Sequence, residues 1–395
     1  MSPRRALCAA LAGLVLAPLV AAQELPLAEE RPEPPERMTA EEARPALERS
    51  YAWLLANQND DGSWASPVIE SVWEDNFAFE TYYAWQLASQ GLAVMALLEA
   101  DETPERRAAL ERGAAFLLDA PLPGRPSDWD VDSVWSMLYG LVGVLALDED
   151  ERFDGPEWAE RVERRGREFY ELLERHQVPT GGWAYYDDPP FTRRPKWATS
   201  FCTALVLPAV ADALERGWGE DARVRERALE YVRRCALPNG AFAYDFRPIP
   251  RMGGESIDQV KGSLGRIQVC LWALRDAGDP RATDDRLREG LGWFFEHHRF
   301  LDVARMRPIP HEAYYANAGY FYLFAHYYAA LAIELLPESE REDWHARLRP
   351  HLVKVQDRSG RVTDFLGTGY LAVAGTAYTA LALEAGMPAP APADR

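Results

Sequence analysis

Basic residues are in short supply: 43 lysines and arginines face 62 acids, for a formal net charge of −19. The bases are scattered among the acids without forming a stripe, which argues against nucleic acid and anionic membrane surfaces as partners. Cysteine is scarcer still, at four in 395 residues. No C-x-x-C pair occurs, and Cys202, Cys235 and Cys270 stand far apart. These three could form at most one internal disulfide, and they read more simply as buried free thiols. Histidine is also sparse. His297 and His298 adjoin and cannot easily face one ion, while His311, His326 and Cys202 could meet only in the folded chain. No metal and no cofactor are therefore expected. Finally, the apolar run from Ala6 to Val20 is too short and too early for a stable membrane span.

That first run has another meaning. Two arginines, the apolar stretch and a small-residue end at Ala22 make residues 1–22 a secretory signal peptide, with a signal anchor as the alternative. The expected location is periplasmic or extracellular. Residues 23–44 are rich in Pro and Glu and read as a tether; residues 387–395 read as a tail. Between them, residues 45–386 form one domain, since no linker interrupts them.

What fills this domain is an alternation. Charge-studded helical patterns start near Arg44, Pro104, Pro156, Glu220, Thr283 and Arg341. Each is followed by a helical run almost bare of charge, such as "SVWSMLYGLVGVLAL" and "AYYANAGYFYLFAHYYAALAI". A helix apolar on all sides must be buried all round, whereas one with a single apolar stripe lies on a surface. Six of each kind, alternating at roughly 60-residue intervals, fit helix-pair repeats. The expected fold is all-α, an α6/α6 toroid of two concentric rings, with an open solenoid as the competitor.

The turns between the two kinds of helix repeat as well. "NQNDDGSWA" (57–65), "HQVPTGGWAYYDD" (176–188), "CALPNGAFAYDF" (235–246) and "VQDRSGRVTDF" (355–365) share a Gly and, mostly, an aromatic two residues later. The Gly permits positive φ past a helix end, and the aromatic is expected to plug the seam between repeats. The second and fifth turns depart from this pattern.

"YAWLLANQNDDGSW" resembles the QW repeat of squalene and oxidosqualene cyclases through Trp53, Leu54, Gln58, Gly62 and Trp64. Gln177, Gly182 and Trp183 make a looser copy, and Gln356 with Gly360 a partial one. The resemblance is to the terpenoid cyclase and protein prenyltransferase toroid superfamily, and it implies the toroid more than any activity. The D-x-D-D acid motif of the cyclases is missing; the nearest stretch, "DWDVD", supplies Asp128, Asp130 and Asp132 at other spacing. The D-x-C zinc motif of the prenyltransferases and the C-G-E-Q of thioester domains are missing too.

Lone ionisable groups on bare helices stand out, because a buried charge must be paired, solvated or neutralised. Glu80 and Arg266 lie near the starts of their helices and would face one mouth, as ligand contacts or as a buried pair. His326 is a ligand candidate or a hydrogen-bonded core histidine. The loops at that mouth add Lys196, Tyr186, Asp187, His311 and Asp364. Asp132, next to Ser133, also suits a helix N-cap. Trp85, Trp135 and Tyr315 belong to an aromatic lining that could stabilise cations, stack on sugars or merely fill a core. Asp132 and Asp187 are the first candidates for acid–base work, with His311 as partner and Arg266 as anchor.

Four functions fit these residues: a cyclase-like enzyme or apolar-ligand protein with an aromatic central cavity, a carbohydrate-active enzyme on the same ring, a non-catalytic binding module, and a scaffold. Expected partners are an isoprenoid, a glycan or another small molecule.

Overall fold

The computed structural model describes residues 35–68, 77–124, 132–185, 196–246, 256–365 and 369–388. Among them the regular structure is helical, with isolated bridges and no strand. The charged helices are α1 (Ala40–Ala56), α3 (Pro104–Asp119), α5 (Pro156–His176), α7 (Arg223–Cys235), α9 (Asp284–Glu296) and α12 (Glu338–Val355). The bare ones are α2 (Phe79–Glu99), α4 (Val134–Asp148), α6 (Ser200–Glu215), α8 (Leu264–Asp276), α11 (Phe321–Glu334) and α13 (Gly369–Glu384), and a short α10 (Arg299–Ala304) follows α9.

The physics that separates the two classes is visible in their burial. Helix α7 buries only Val224, Ala228, Tyr231, Val232 and Cys235, a stripe at helical spacing. By contrast α11 buries all of its first ten residues. The bare helices contact one another in a closed order: α2 on α4, α4 on α6, α6 on α8, α8 on α11, α11 on α13 and α13 on α2. Each is backed by a charged helix, namely α3, α5, α7, α9, α12 and α1 in that order. Cys202, Cys235 and Cys270 are buried free thiols. Among the described residues no helix is long and apolar enough to cross a membrane.

Two boundaries differ from expectation. Helix α1 starts at Ala40, inside the stretch read as a tether, because Thr39 and Glu42 form a reciprocal capping box. The fifth bare segment, read as helical from Ala313, becomes so only at Phe321. Tyr315 and Ala316 have positive φ there, a conformation that no continuing helix tolerates.

The repeated turns act as locks between successive repeats. Gln58 donates its amide to the Ala109 carbonyl of α3 at 2.8 Å, Gln177 to Val224 of α7 at 2.8 Å, and Gln356 to Ala46 of α1 at 2.8 Å. Trp64 and Trp183 are fully buried, and their indole N–H groups return to the Leu54 and Leu173 carbonyls at 2.8 Å. Phe242 and Val362 are buried at the equivalent positions. The backbone N–H of each plug is taken by a polar side chain of the following segment: Gln90, Thr203, Ser263 and Thr376. The Gln356 contact joins the last turn to the first helix, over 310 residues of sequence.

The locks should not be equally strong. Gln177 is almost fully buried, so truncating it takes the side-chain donor from the Val224 and Gly181 carbonyls at a site away from water. Gln177→Ala is expected to cost about 2 kcal/mol in urea unfolding, and Gln58→Ala, at a partly buried site, about 1 kcal/mol.

Candidate active site

The starts of the bare helices gather polar groups onto a continuous arc of aromatic rings. At one end Trp85, near the start of α2, donates its indole N–H to Asp132 Oδ2 at 3.0 Å. Asp132 is nearly buried and sits in the left-handed region at φ 63, which Asp tolerates better than most residues. Its backbone N–H is tied to the Tyr185 carbonyl at 2.9 Å. Trp85 packs on Phe77 and Tyr370, with centroids 5.5 and 5.1 Å away.

From Asp132 the arc continues through Trp135, stacked on Tyr185 with centroids 6.2 Å apart, and Trp197, edge-on to Tyr185 at 5.4 Å. The Tyr185 hydroxyl bonds to that of Tyr244. The Tyr244 ring stands edge-on to His311 at 5.7 Å. His311 bonds the Ala316 carbonyl through Nδ1 at 2.7 Å, and a carbonyl can only accept. The Nδ1 proton is thereby fixed, and Nε2 accepts from the Tyr320 hydroxyl at 2.9 Å. Burial lowers the pKa of His311, and the nearby Arg266 charge lowers it further. The neutral ring is thus held with its basic nitrogen toward a phenol. Tyr320 then leads on to Phe365, at 5.9 Å, beside Asp364.

Asp364 is buried at the head of α11, where its Oδ2 accepts the Leu323 N–H at 2.9 Å. Desolvation pushes its carboxyl up to about 7, against the lowering effects of that bond and of Arg305. The folded protein therefore holds this proton more tightly than the unfolded chain does. Its contribution to stability falls as pH rises from about 4 to about 7. Asp364→Asn keeps an oxygen for Leu323 and removes the ionisation. The stability difference between variant and wild type, followed by thermal melting, should therefore widen in the variant's favour across that window and level off above it.

The other candidates make different contacts. Glu80 accepts the Gly124 N–H at 3.1 Å and does not pair with Arg266. Arg266 is buried and holds its own preceding loop, donating to the Phe242 and Ile257 carbonyls. Its guanidinium lies 5.4 Å from the Tyr244 ring centroid, so it borders the arc while its donors are turned to those two carbonyls. Tyr315 packs on Phe300 at 4.8 Å and near Lys261. Lys196 is exposed. Ser133 is the α4 N-cap residue and makes no side-chain cap; the Asp132 carboxylate turns to Trp85 instead. His326 is fully buried away from the arc, with Nδ1 on the Tyr322 carbonyl, and burial and two neighbouring histidines hold its pKa well below the usual value. Tyr186 and Asp187 lie outside the described residues, as do Asp128 and Asp130.

Sequence reasoning overlooked Tyr244. Its signal was available, because it follows the plug Phe242 by two residues, as Tyr185 follows Trp183 and Asp364 follows Val362. The same register therefore delivers three members of the arc.

No protein-family model matches the chain, and no curated protein does either. Solved structures share its fold. An inactive variant of an α-1,6-mannanase of Salegentibacter, altered at two adjacent aspartates and in complex with an α-1,6-linked mannose tetrasaccharide, is similar with a TM-score of 0.55 at 12% identity, covering 87% of this chain and 99% of that one. An unsaturated glucuronyl hydrolase from Streptococcus agalactiae is similar with a TM-score of 0.53 at 13% identity, covering 88% and 92%. A type II terpene cyclase from Scytonema reaches 0.46 at 14% identity, covering 87% and 97%. The first two are α/α-toroid glycoside hydrolases, and at these identities the likeness concerns the fold alone.

Proposed function

We propose that the chain closes an α6/α6 toroid whose mouth is an acid–base site for a glycan, in a protein exported by the leader at residues 1–22. The observation that carries this reading is the Asp132 carboxylate, bonded to the Trp85 indole at 3.0 Å and set on an aromatic arc that ends at the His311–Tyr320 pair. Sugar rings stack on aromatic faces, and glycoside chemistry requires a carboxyl beside them. Asp132 supplies that carboxyl. Asp187, on the "YYDDPP" stretch, is proposed as the second, and Trp85, Trp135, Tyr185 and Tyr186 as the stacking surface.

The packing of the interior also favours a glycan over a polyprene. Below the arc, Tyr139 and Tyr378 share a hydroxyl–hydroxyl bond, and Phe324 packs on Tyr328 at 4.6 Å and on Tyr378 at 6.3 Å. Phe201 closes on Phe321 at 5.2 Å and on Phe324 at 6.0 Å. These rings come from α4, α6, α11 and α13 and pack on one another beneath the arc, which leaves less room there for a long hydrocarbon. The fold shared with the mannanase and the glucuronyl hydrolase agrees with this choice.

The test is a panel of α-1,6-mannooligosaccharides, unsaturated glucuronyl oligosaccharides and acidic polysaccharides, set against squalene and polyprenols. Tryptophan fluorescence would report binding and chromatography would report products. Quenching and new sugar products support the glycan reading; binding or conversion of the polyprenes alone would replace it with the cyclase-like one.

A further inference from the structure

Three histidines from three successive helices converge behind α11, away from the aromatic arc. His298 is the N-cap residue of α10, His326 lies in the middle of α11, and His351 lies near the end of α12. One ring nitrogen of each lies within 4.8 Å of the other two. His298 and His326 are almost completely buried.

Their hydrogen bonds fix where the protons are. His326 Nδ1 lies 2.6 Å from the Tyr322 carbonyl, which can only accept, so this nitrogen carries a proton. His298 Nδ1 lies 2.9 Å from Asp302 Oδ2, and a carboxylate likewise takes a proton-bearing nitrogen. In both neutral rings Nε2 is then a bare lone pair, yet the two Nε2 atoms face each other at 2.9 Å. Two lone pairs at that distance repel unless a cation sits between them or they share an added proton. His351 stacks on His298 with centroids 3.6 Å apart, and its Nδ1 is buried without a hydrogen-bond partner among the described residues.

We propose that His298, His326 and His351 bind one divalent first-row transition-metal ion, zinc foremost, which fastens α10 and α12 to α11. Three imidazoles make a borderline-soft set that suits zinc, with a fourth position left to water. The outer partners are already those of a metal-binding histidine: a carboxylate behind His298 and a backbone carbonyl behind His326. Asp302 is itself held by Lys354, whose Nζ lies 2.7 Å from Oδ1. Tetrahedral zinc with bonds of about 2.0–2.1 Å places its ligand nitrogens about 3.3–3.4 Å apart. For the set to close, the 2.9 Å pair must open slightly and the His351 ring must leave its stack on His298 and turn a nitrogen inward.

The experiment uses the full, untagged chain after chelator treatment and dialysis. Zinc or cobalt alone is added, with metal content measured by mass spectrometry, cobalt absorption in the visible region and melting temperature as readouts. One ion per chain, a tetrahedral cobalt spectrum and a melting temperature raised by about 5 °C are expected. His351→Gln, a change at the least buried of the three, should keep the wild-type circular dichroism and lose metal affinity by at least 100-fold. Asp302→Asn should lose about 10- to 100-fold. If the wild type takes up no stoichiometric metal, or His351→Gln binds as tightly, the proposal falls and a shared proton is left to hold the pair. Uptake is read without any substrate, so it stands or falls separately from the glycan reading.

Discussion

Gly360→Ala is expected to lower the stability of the fold by about 4 kcal/mol, seen as a shift in the urea midpoint at constant slope. Gly360 has φ +96, and a Cβ placed on it would lie 2.1 Å from the Arg49 carbonyl oxygen of α1. The conformation alone costs about 1–2 kcal/mol for a residue with a Cβ, and the overlap adds the rest. Helix α1 cannot easily recede, because Gln356 from the same turn holds both the Ala46 carbonyl and the Ser50 hydroxyl, at 2.8 and 2.9 Å. A control separates the two contributions. Gly217 has φ +71 with nothing within 4 Å of its Cβ position, so Gly217→Ala should show the conformational part only. Equal costs at the two sites would mean that the last turn does not press on the first helix.

On the proposed glycan reading, Asp132→Asn should lower turnover by about 10³-fold or more, with melting temperature little changed. The amide oxygen can still accept the Trp85 indole proton, now 3.0 Å from Oδ2, so the arc keeps its shape and loses only a group that can carry a proton. Trp85→Phe makes the complementary change: the carboxyl stays and its donor goes. It should reduce turnover by about 10-fold and move the acid or base limb of the pH–rate profile, since a carboxylate without its hydrogen-bond donor holds its proton more tightly. Undiminished turnover in Asp132→Asn would remove this residue from the chemistry.

Much of this architecture was readable in the chain. The bare helices were recognisable because burial on all sides leaves no place for charge, and α4 and α11 follow that rule closely. The turn register was readable too, since a Gly that needs positive φ and a plug two residues later are local demands. Readability failed where the chain's distant parts decide the outcome. Nothing local tells Arg266 to hold the Phe242 carbonyl instead of meeting Glu80. Asp132 looked like a cap for α4 because its neighbours are those of a cap, and Trp85, on another helix, draws the carboxylate away. The histidine cluster was missed because His298, His326 and His351 share no spacing, and their meeting depends on how the successive helices α10, α11 and α12 pack.

All of these placements assume that the last repeat seats on the first, because Asp132 lies before α4 whereas His311 and Asp364 flank α11. Hydrogen exchange of Gly360→Ala against wild type tests that closure most directly. The account predicts that the slow amides of α1, more than 300 residues away in sequence, lose protection together with those of α12 and α13. Loss confined to α12 and α13, with α1 as protected as before, would contradict it.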